Sequence, residues 1–162
     1  MKYQNECVRR QDRLLDEDKA LNLLENGGYG VLSMVSPQGD AYGIPVNFVW
    51  DGKESIYIHC APEGRKLGCM AHHPQVSFCV VGHTQVLPTK FTANYESIVL
   101  TCRASISLPE AERMKALELF IGKYAPLHKE TGMKYVAKSF HRTEIIRLDI
   151  DTWSGKCKHV AP

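Results

Sequence analysis

His59, Cys60, Arg65 and Lys66 fall within eight residues, "HCAPEGRK", at the end of the apolar run "SIYIHC". Pro62 and Gly64 break the chain between the two pairs. Arg65 and Lys66 then stand at a predicted helix start, where the backbone's partial positive charge disfavours cations unless an anion is bound. Gly64 permits close backbone approach, the following amides point along the helix axis, and two full charges are added. That combination suits a phosphate. Each feature alone has a plainer account. "GRK" can be a solvated helix start, and His59 a satisfied strand histidine.

A second set of candidates precedes it. In "AYGIPVNFVW", read as one strand, Tyr42, Ile44, Val46, Phe48 and Trp50 alternate onto one face and Gly43, Pro45 and Asn47 onto the other. In "SIYIHCA" Ile56, Ile58 and Cys60 share a face, with Tyr57 and His59 opposite. If these strands pair as a hairpin through "DGKE", Gly43, Pro45 and Asn47 face Tyr57 and His59. The low bulk of Gly43 and Pro45 leaves room for a flat ligand, and Pro45 removes a ladder donor, as at a sheet edge. A flat group on the strands with a phosphate at the adjoining helix start describes flavin mononucleotide (FMN).

The elements that must position these residues follow from periodicity. Residues 16–26 predict a helix with acids in its first turn and a Gly27-Gly28 stop. From Tyr29 the period is two, and "SPQGD" has hairpin-turn chemistry. "GRKLGCMAHH" predicts a short helix ended by Pro74, "QVSFCVVG" and "SIVLTCRASI" predict strands, and residues 83–96 a longer polar connection. "SLPEAERMKALELFIGKYA" predicts a helix opened by a Ser107–Glu110 capping box. Residues 143–151 predict a last strand, "TWSGKCKHVAP" a tail, and the basic "GMKYVAKSFHRT" carries no assigned role. Hairpin-connected strands with inserted helices predict an antiparallel barrel or sandwich; a doubly wound parallel sheet is disfavoured because "DGKE" is too short for a crossover.

At 162 residues the chain is sized for a single domain, with its barrel over about 29–151. A net charge of +2 with no long Lys/Arg block argues against nucleic acid. No secretory leader or membrane-length apolar run is visible, and the six cysteines show neither CxxC nor framework spacing, so a cytoplasmic protein with reduced thiols is expected. Zinc held by Cys60, Cys69, His72 and His73 fits no standard spacing, and no metal is expected.

The ordered set Pro45-Val46-Asn47-Phe48, Tyr57 to Lys66, His73 to Phe78, Ser97-Ile98 and Gly155-Lys156 resembles the flavin-binding split-barrel superfamily of pyridoxamine 5'-phosphate oxidase, nearest its 5-nitroimidazole-resistance (Nim-type) branch. The resemblance spans residues 16 to 156. It implies a mostly β fold with inserted α-helices: a six-stranded antiparallel split β-barrel, homodimeric, with FMN at the subunit interface. Carried over by position, Arg65 and Lys66 would hold the phosphate. Pro45, Val46, Asn47, His59, Cys60 and Ala61 would line the ribityl chain and ring, and Ser97 would add a contact. The sequence departs from the oxidase proper in placing Asn47 where that enzyme has a basic residue, and in ending "KCKHVAP" instead of with an arginine segment. Both argue against pyridoxamine phosphate oxidation.

What the resemblance implies is an FMN-dependent reductase of small electron-poor aromatics such as nitroimidazoles. His59 would be the catalytic proton donor, and backbone amides near Asn47 would favour charge on the reduced ring. The electron donor, NAD(P)H or another, would be a transient visitor, since no Rossmann glycine signature is present. The rival from another class is a flavin- or haem-binding protein without turnover, with His59, His72, His73, His83, His128 or His141 as an axial ligand.

Overall fold

The strand expected over residues 41–50 is two strands. In the computed structural model, which describes residues 1–161, the ladder breaks at Asn47 and Phe48 between β3 (Ala41–Val46) and β4 (Val49–Trp50). β3 pairs antiparallel with β2 (Gly30–Val35), whereas β4 pairs with β5 (Ser55–Cys60). Alternation continues through the break because it reports burial and not the identity of the ladder partner. The expected juxtaposition of Gly43, Pro45 and Asn47 with Tyr57 and His59 is therefore corrected. Gly43 and Pro45 stand opposite Ser33 and Val31 of β2.

This break sets the architecture. One sheet of eight strands runs in the order β3-β2-β6-β7-β8-β5-β4, with β1 (Lys2–Tyr3) added parallel to β8. Its two edge strands, β3 and β4, are separated in the chain by only two residues. The sheet must curl until its edges meet, yet among the described residues no ladder joins them. That is a split barrel, mostly antiparallel, with helices inserted between strands. It has eight strands where six were expected.

The extra strand length comes from segments whose pattern hid them. β6 (Gln75–Leu87) and β7 (Thr92–Ser105) continue far into the region expected to be a connection, with a bulge between Val81 and Thr84. His83, Thr84, Gln85 and Val86 are all exposed there, so over these residues no period of two is imposed. β8 (Glu144–Lys158) likewise absorbs most of the expected tail, with Trp153 buried edge-on to Tyr3 at 4.6 Å.

Inside the barrel lie Leu32, Phe48, Phe78, Ile98, Leu100 and Leu148, all without exposed surface, with Leu24 of α1 (Glu17–Asn26) packed among them. Each such side chain contributes about 1.5–3 kcal/mol relative to exposure. A smaller core lies outside the barrel, where Ala116, Leu117 and Phe120 of α3 (Glu110–Tyr124) and Val136 of α4 (Lys129–Ser139) cover Val49, Tyr57 and Ile145. Tyr57, expected on a polar face, is buried there, and its hydroxyl donates to Glu112 at 3.1 Å. The expected capping box is absent. Pro109 is the residue before the helix and Ser107 is left-handed (φ 59°), so the helix starts at Glu110 without a side-chain cap. Glu110 and Glu112 in the first turn instead meet the helix dipole. No helix among the described residues is long and apolar enough to cross a membrane.

Candidate functional site

β5 carries His59 and Cys60 to the barrel's edge and stops where Ala61, Pro62 and Gly64 leave extended geometry. Gly64 has φ 140°, a conformation that glycine alone adopts without strain, and α2 (Arg65–His72) starts immediately after it. The imidazole of His59 lies outside the barrel, edge-on to Phe120 at 4.8 Å, and Phe120 stacks with Tyr124 at 5.9 Å. Two adjoining clefts share this histidine. One, about 490 Å³, is lined by Val46, His59, Cys60, Ala61, Lys66, Tyr135, Ser139, Arg142 and Thr143. The other, about 290 Å³, is lined by Asn47, His59, Phe120, Ile121, Tyr124 and Ala125.

Of the residues singled out in sequence, Val46, Asn47, His59, Cys60, Ala61 and Lys66 border these clefts, while Pro45, Arg65 and Ser97 do not. Pro45 lies exposed on the outer face of β3. Ser97 lies on β7 between Val81 and Lys156. The guanidinium of Arg65 stacks on the Tyr42 ring at 4.1 Å, so the two adjacent cations part company. Asn47 is committed locally, donating through Nδ2 to the Gly28 carbonyl at 2.8 Å. The Phe48 amide donates to the Tyr124 hydroxyl at 3.2 Å, and so is not free to serve a ligand.

The electrostatics place neutral groups beside two cations, Lys66 and Arg142. Burial, and then the Lys66 charge, hold His59 below its ordinary 6.5, so its ring is neutral at pH 7. Burial pushes the Cys60 thiol up, opposed by Lys66 and assisted by Glu144. It is a protonated thiol at neutral pH and a poor nucleophile. Ser139 donates its hydroxyl to the Tyr135 carbonyl at 2.9 Å and Thr143 to the Ser139 carbonyl at 3.0 Å. With no activated nucleophile among these residues, the arrangement suits holding a flat ligand with an anionic end.

The α4 contribution was missed in sequence, although a signal existed. Tyr135, Ser139 and Arg142 recur at i, i+4 and i+7, the spacing of one helical face. The residues weighed for zinc do not converge. Cys69 is fully buried while His72 and His73 are exposed, and no group of three or more His, Cys, Asp or Glu is placed for a metal among the described residues.

Comparison with known proteins agrees with this architecture. The family profile described as pyridoxamine 5'-phosphate oxidase matches residues 16–157. No curated protein matches the chain. A candidate 5-nitroimidazole antibiotic resistance protein from Bacteroides thetaiotaomicron superposes with a TM-score of 0.73 at 16% identity, covering 90% of this chain and 86% of its own. A protein from Mycobacterium smegmatis named for binding FAD and haem gives 0.78 at 18% identity, covering 91% and 73%. A flavocytochrome from Azotobacter vinelandii gives 0.74 at 22% identity, covering 91% and 69%. At these identities the likeness is one of fold.

Proposed function

The chain belongs to the pyridoxamine 5'-phosphate oxidase family, and from that premise we propose that it is an FMN-dependent reductase of small electron-poor aromatic compounds, acting as a homodimer. The observation that carries this is the shared position of His59. On one side of it is a cleft holding the Lys66 ammonium, on the other a cleft walled by Phe120 and Tyr124. A molecule with a flat aromatic head and a phosphorylated tail matches that sequence of surroundings. The donor set fits as well, since the Lys66 side chain has no ion pair among the described residues.

When bound, the flavin supplies the electron transfer, which no side chain here can perform. Lys66 would anchor the phosphate in the cleft that Val46 and Ala61 also line, and Phe120 and Tyr124 would wall the ring. Cys60 stays protonated and inert. His59, shared by both clefts, would be the side chain available to hydrogen-bond the bound molecule. Its lowered pKa makes it a neutral hydrogen-bonding group at pH 7 and a proton donor only at more acidic pH. The homodimer is supported by the outer sheet face. Pro45, Val31, Cys79 and Val99 lie in register across β3, β2, β6 and β7, and none of them belongs to either core cluster among the described residues. Pro45 and Ser97 belong to that face, and a second copy docked there would give them a place at its partner's cleft.

The test is spectroscopic. Purified protein loaded with FMN should show flavin absorption and bleach on anaerobic titration with NAD(P)H or dithionite. Added nitroaromatics or quinones should restore the colour. His59→Ala should keep the flavin and slow reoxidation, whereas Lys66→Met should weaken FMN binding. The haem and flavin named in two structural relatives give a second reading, haem at His59, which an intense Soret band after haem reconstitution would favour. Protein that takes up no flavin disposes of the reductase.

A further inference from the structure

A cleft of about 630 Å³ opens between the end of α1, β4 and α3. It shares no lining residue with either cleft around His59 and exceeds both in volume. Val49 and Trp50 of β4 and Leu119 of α3 give it an apolar wall, and its volume is ordinary for a small-molecule site. The Trp50 indole proton is spent on the Lys53 carbonyl at 3.2 Å, so its ring contributes apolar surface and no donor.

Two neighbouring residues of α3 gain nothing from the packing around them. Lys123 lines the cleft, yet its ammonium is sealed from solvent, 4.0 Å from the Phe48 ring centroid, with no hydrogen-bond partner. A buried ammonium left unpaired is destabilising, and an apolar side chain of similar length would avoid that penalty. Gly122 is a poor helix former in the last turn of α3, and a Cβ there would meet nothing within 4 Å. No steric demand calls for glycine, and its effect is to leave the cleft open.

The surrounding charges do not supply the missing partner. Glu25, Glu118, Lys115 and Lys129 also line the cleft, all four exposed, and neither they nor Lys123 form an ion pair among the described residues. Glu25 pulls on Lys123 from beyond pairing distance, and burial outweighs that pull. Three lysines against two glutamates leave the cleft net positive.

We propose that this cleft binds a small aromatic carboxylate, its ring against Val49, Trp50 and Leu119 and its carboxylate on the Lys123 ammonium. The flexible lysine stem lets Nζ turn from Phe48 to a bound anion. Binding exchanges a cation–π contact for a charge-assisted hydrogen bond, the stronger interaction. The site goes beyond the flavin reading and does not depend on it, so protein without flavin tests it equally well.

The experiment follows the Trp50 indole N–H by NMR in the full chain at pH 7 as benzoate is added. A saturable shift with a dissociation constant of about 1 mM is expected, the scale for so small a ligand. Lys123→Met should bind benzoate about tenfold more weakly, the loss of one charge-assisted hydrogen bond. Lys115→Met, at the exposed rim, should change the affinity less than about twofold. Gly122→Leu should abolish the shift by filling the cleft, while Gly122→Ala keeps it; both raise helix propensity, so neither loses the ligand by unfolding. Saturating benzoate should also raise the Lys123 pKa from about 8, read on its Cε, because the bound carboxylate favours the ammonium. No saturable shift in wild type overturns the proposal, as does Lys123→Met binding benzoate like wild type. Benzylamine binding as tightly as benzoate would assign the cleft to its glutamates, and a shift retained in Gly122→Leu would place benzoate elsewhere; either result overturns it as well.

Discussion

Burial holds His59 and Lys123 below their ordinary values, and each makes a prediction. His59 is lowered first by burial and then by Lys66. Removing that charge in Lys66→Met should raise the His59 pKa measured by NMR; an unchanged value would mean that burial alone sets it. If imidazolium is the proton donor, turnover falls as pH rises through that pKa, and in any Lys66→Met protein that retains flavin the fall moves to higher pH. Lys123 is the second case. Its Nζ is buried 4.0 Å from the Phe48 ring centroid with no hydrogen-bond partner, and burial lowers its pKa from 10.5 to about 8, against the pull of Glu25. Between those values the unfolded chain holds a proton that the folded chain does not, so this group's contribution to stability rises with pH. The difference in Tm between wild type and Lys123→Met should therefore climb from about pH 8 to about pH 10. Taking the difference removes the thiols, whose raised pKa values act in the opposite sense.

At the scale of elements, the seam between β3 and β4 is held by side chains because no ladder crosses it. The Tyr124 hydroxyl accepts the Phe48 amide at 3.2 Å and directs its one proton to the carbonyls of Phe48 or Gly28, both 2.8 Å away. Tyr124→Phe leaves these groups without that partner and should cost about 1–3 kcal/mol in urea unfolding. A loss within error would show that the seam is held by packing alone. This seam also marks the limit of what sequence conveyed. The turn from β5 into α2 was legible because Pro62 and Gly64 follow an apolar run at a definite place. The break at Asn47 was not, because Tyr42 to Trp50 keep one alternation while their ladder partners change. The β6–β7 arm was hidden for the opposite reason. Its residues His83 to Val86 are exposed in succession, and Phe91 at its tip is 97% exposed. The cleft divides along the same line. Its β5 and α2 wall was predicted, while Tyr135, Ser139 and Arg142 reach it only because α3 and α4 fold back over the strand edge.

For the whole molecule, the helices cover the barrel unevenly. α3 and α4 shield β4, β5 and part of β8, whereas the outer face of β3, β2, β6 and β7 presents the row Pro45, Val31, Cys79 and Val99 outside both core clusters of the described residues. Val99 is 44% exposed and Val81, diagonally across on β6, is 45% exposed. An apolar row on a sheet face is stabilised by burial against another apolar surface, and a two-fold partner offers the same row in return. Sedimentation velocity should then show a dimer at micromolar concentration. Val99→Glu places an unpaired carboxylate in the middle of the contact and should raise the dissociation constant at least about a hundredfold. Its side chain points away from the barrel core, so the circular dichroism of the monomer should be unchanged. Because Pro45 and Ser97 share that face, the flavin reading adds a linked outcome: Val99→Glu should lose FMN affinity in step with dimer dissociation, although it lies outside both clefts. A wild-type monomer, or a Val99→Glu monomer that binds FMN as the wild type does, would separate the cofactor site from the interface and confine it to the residues around His59.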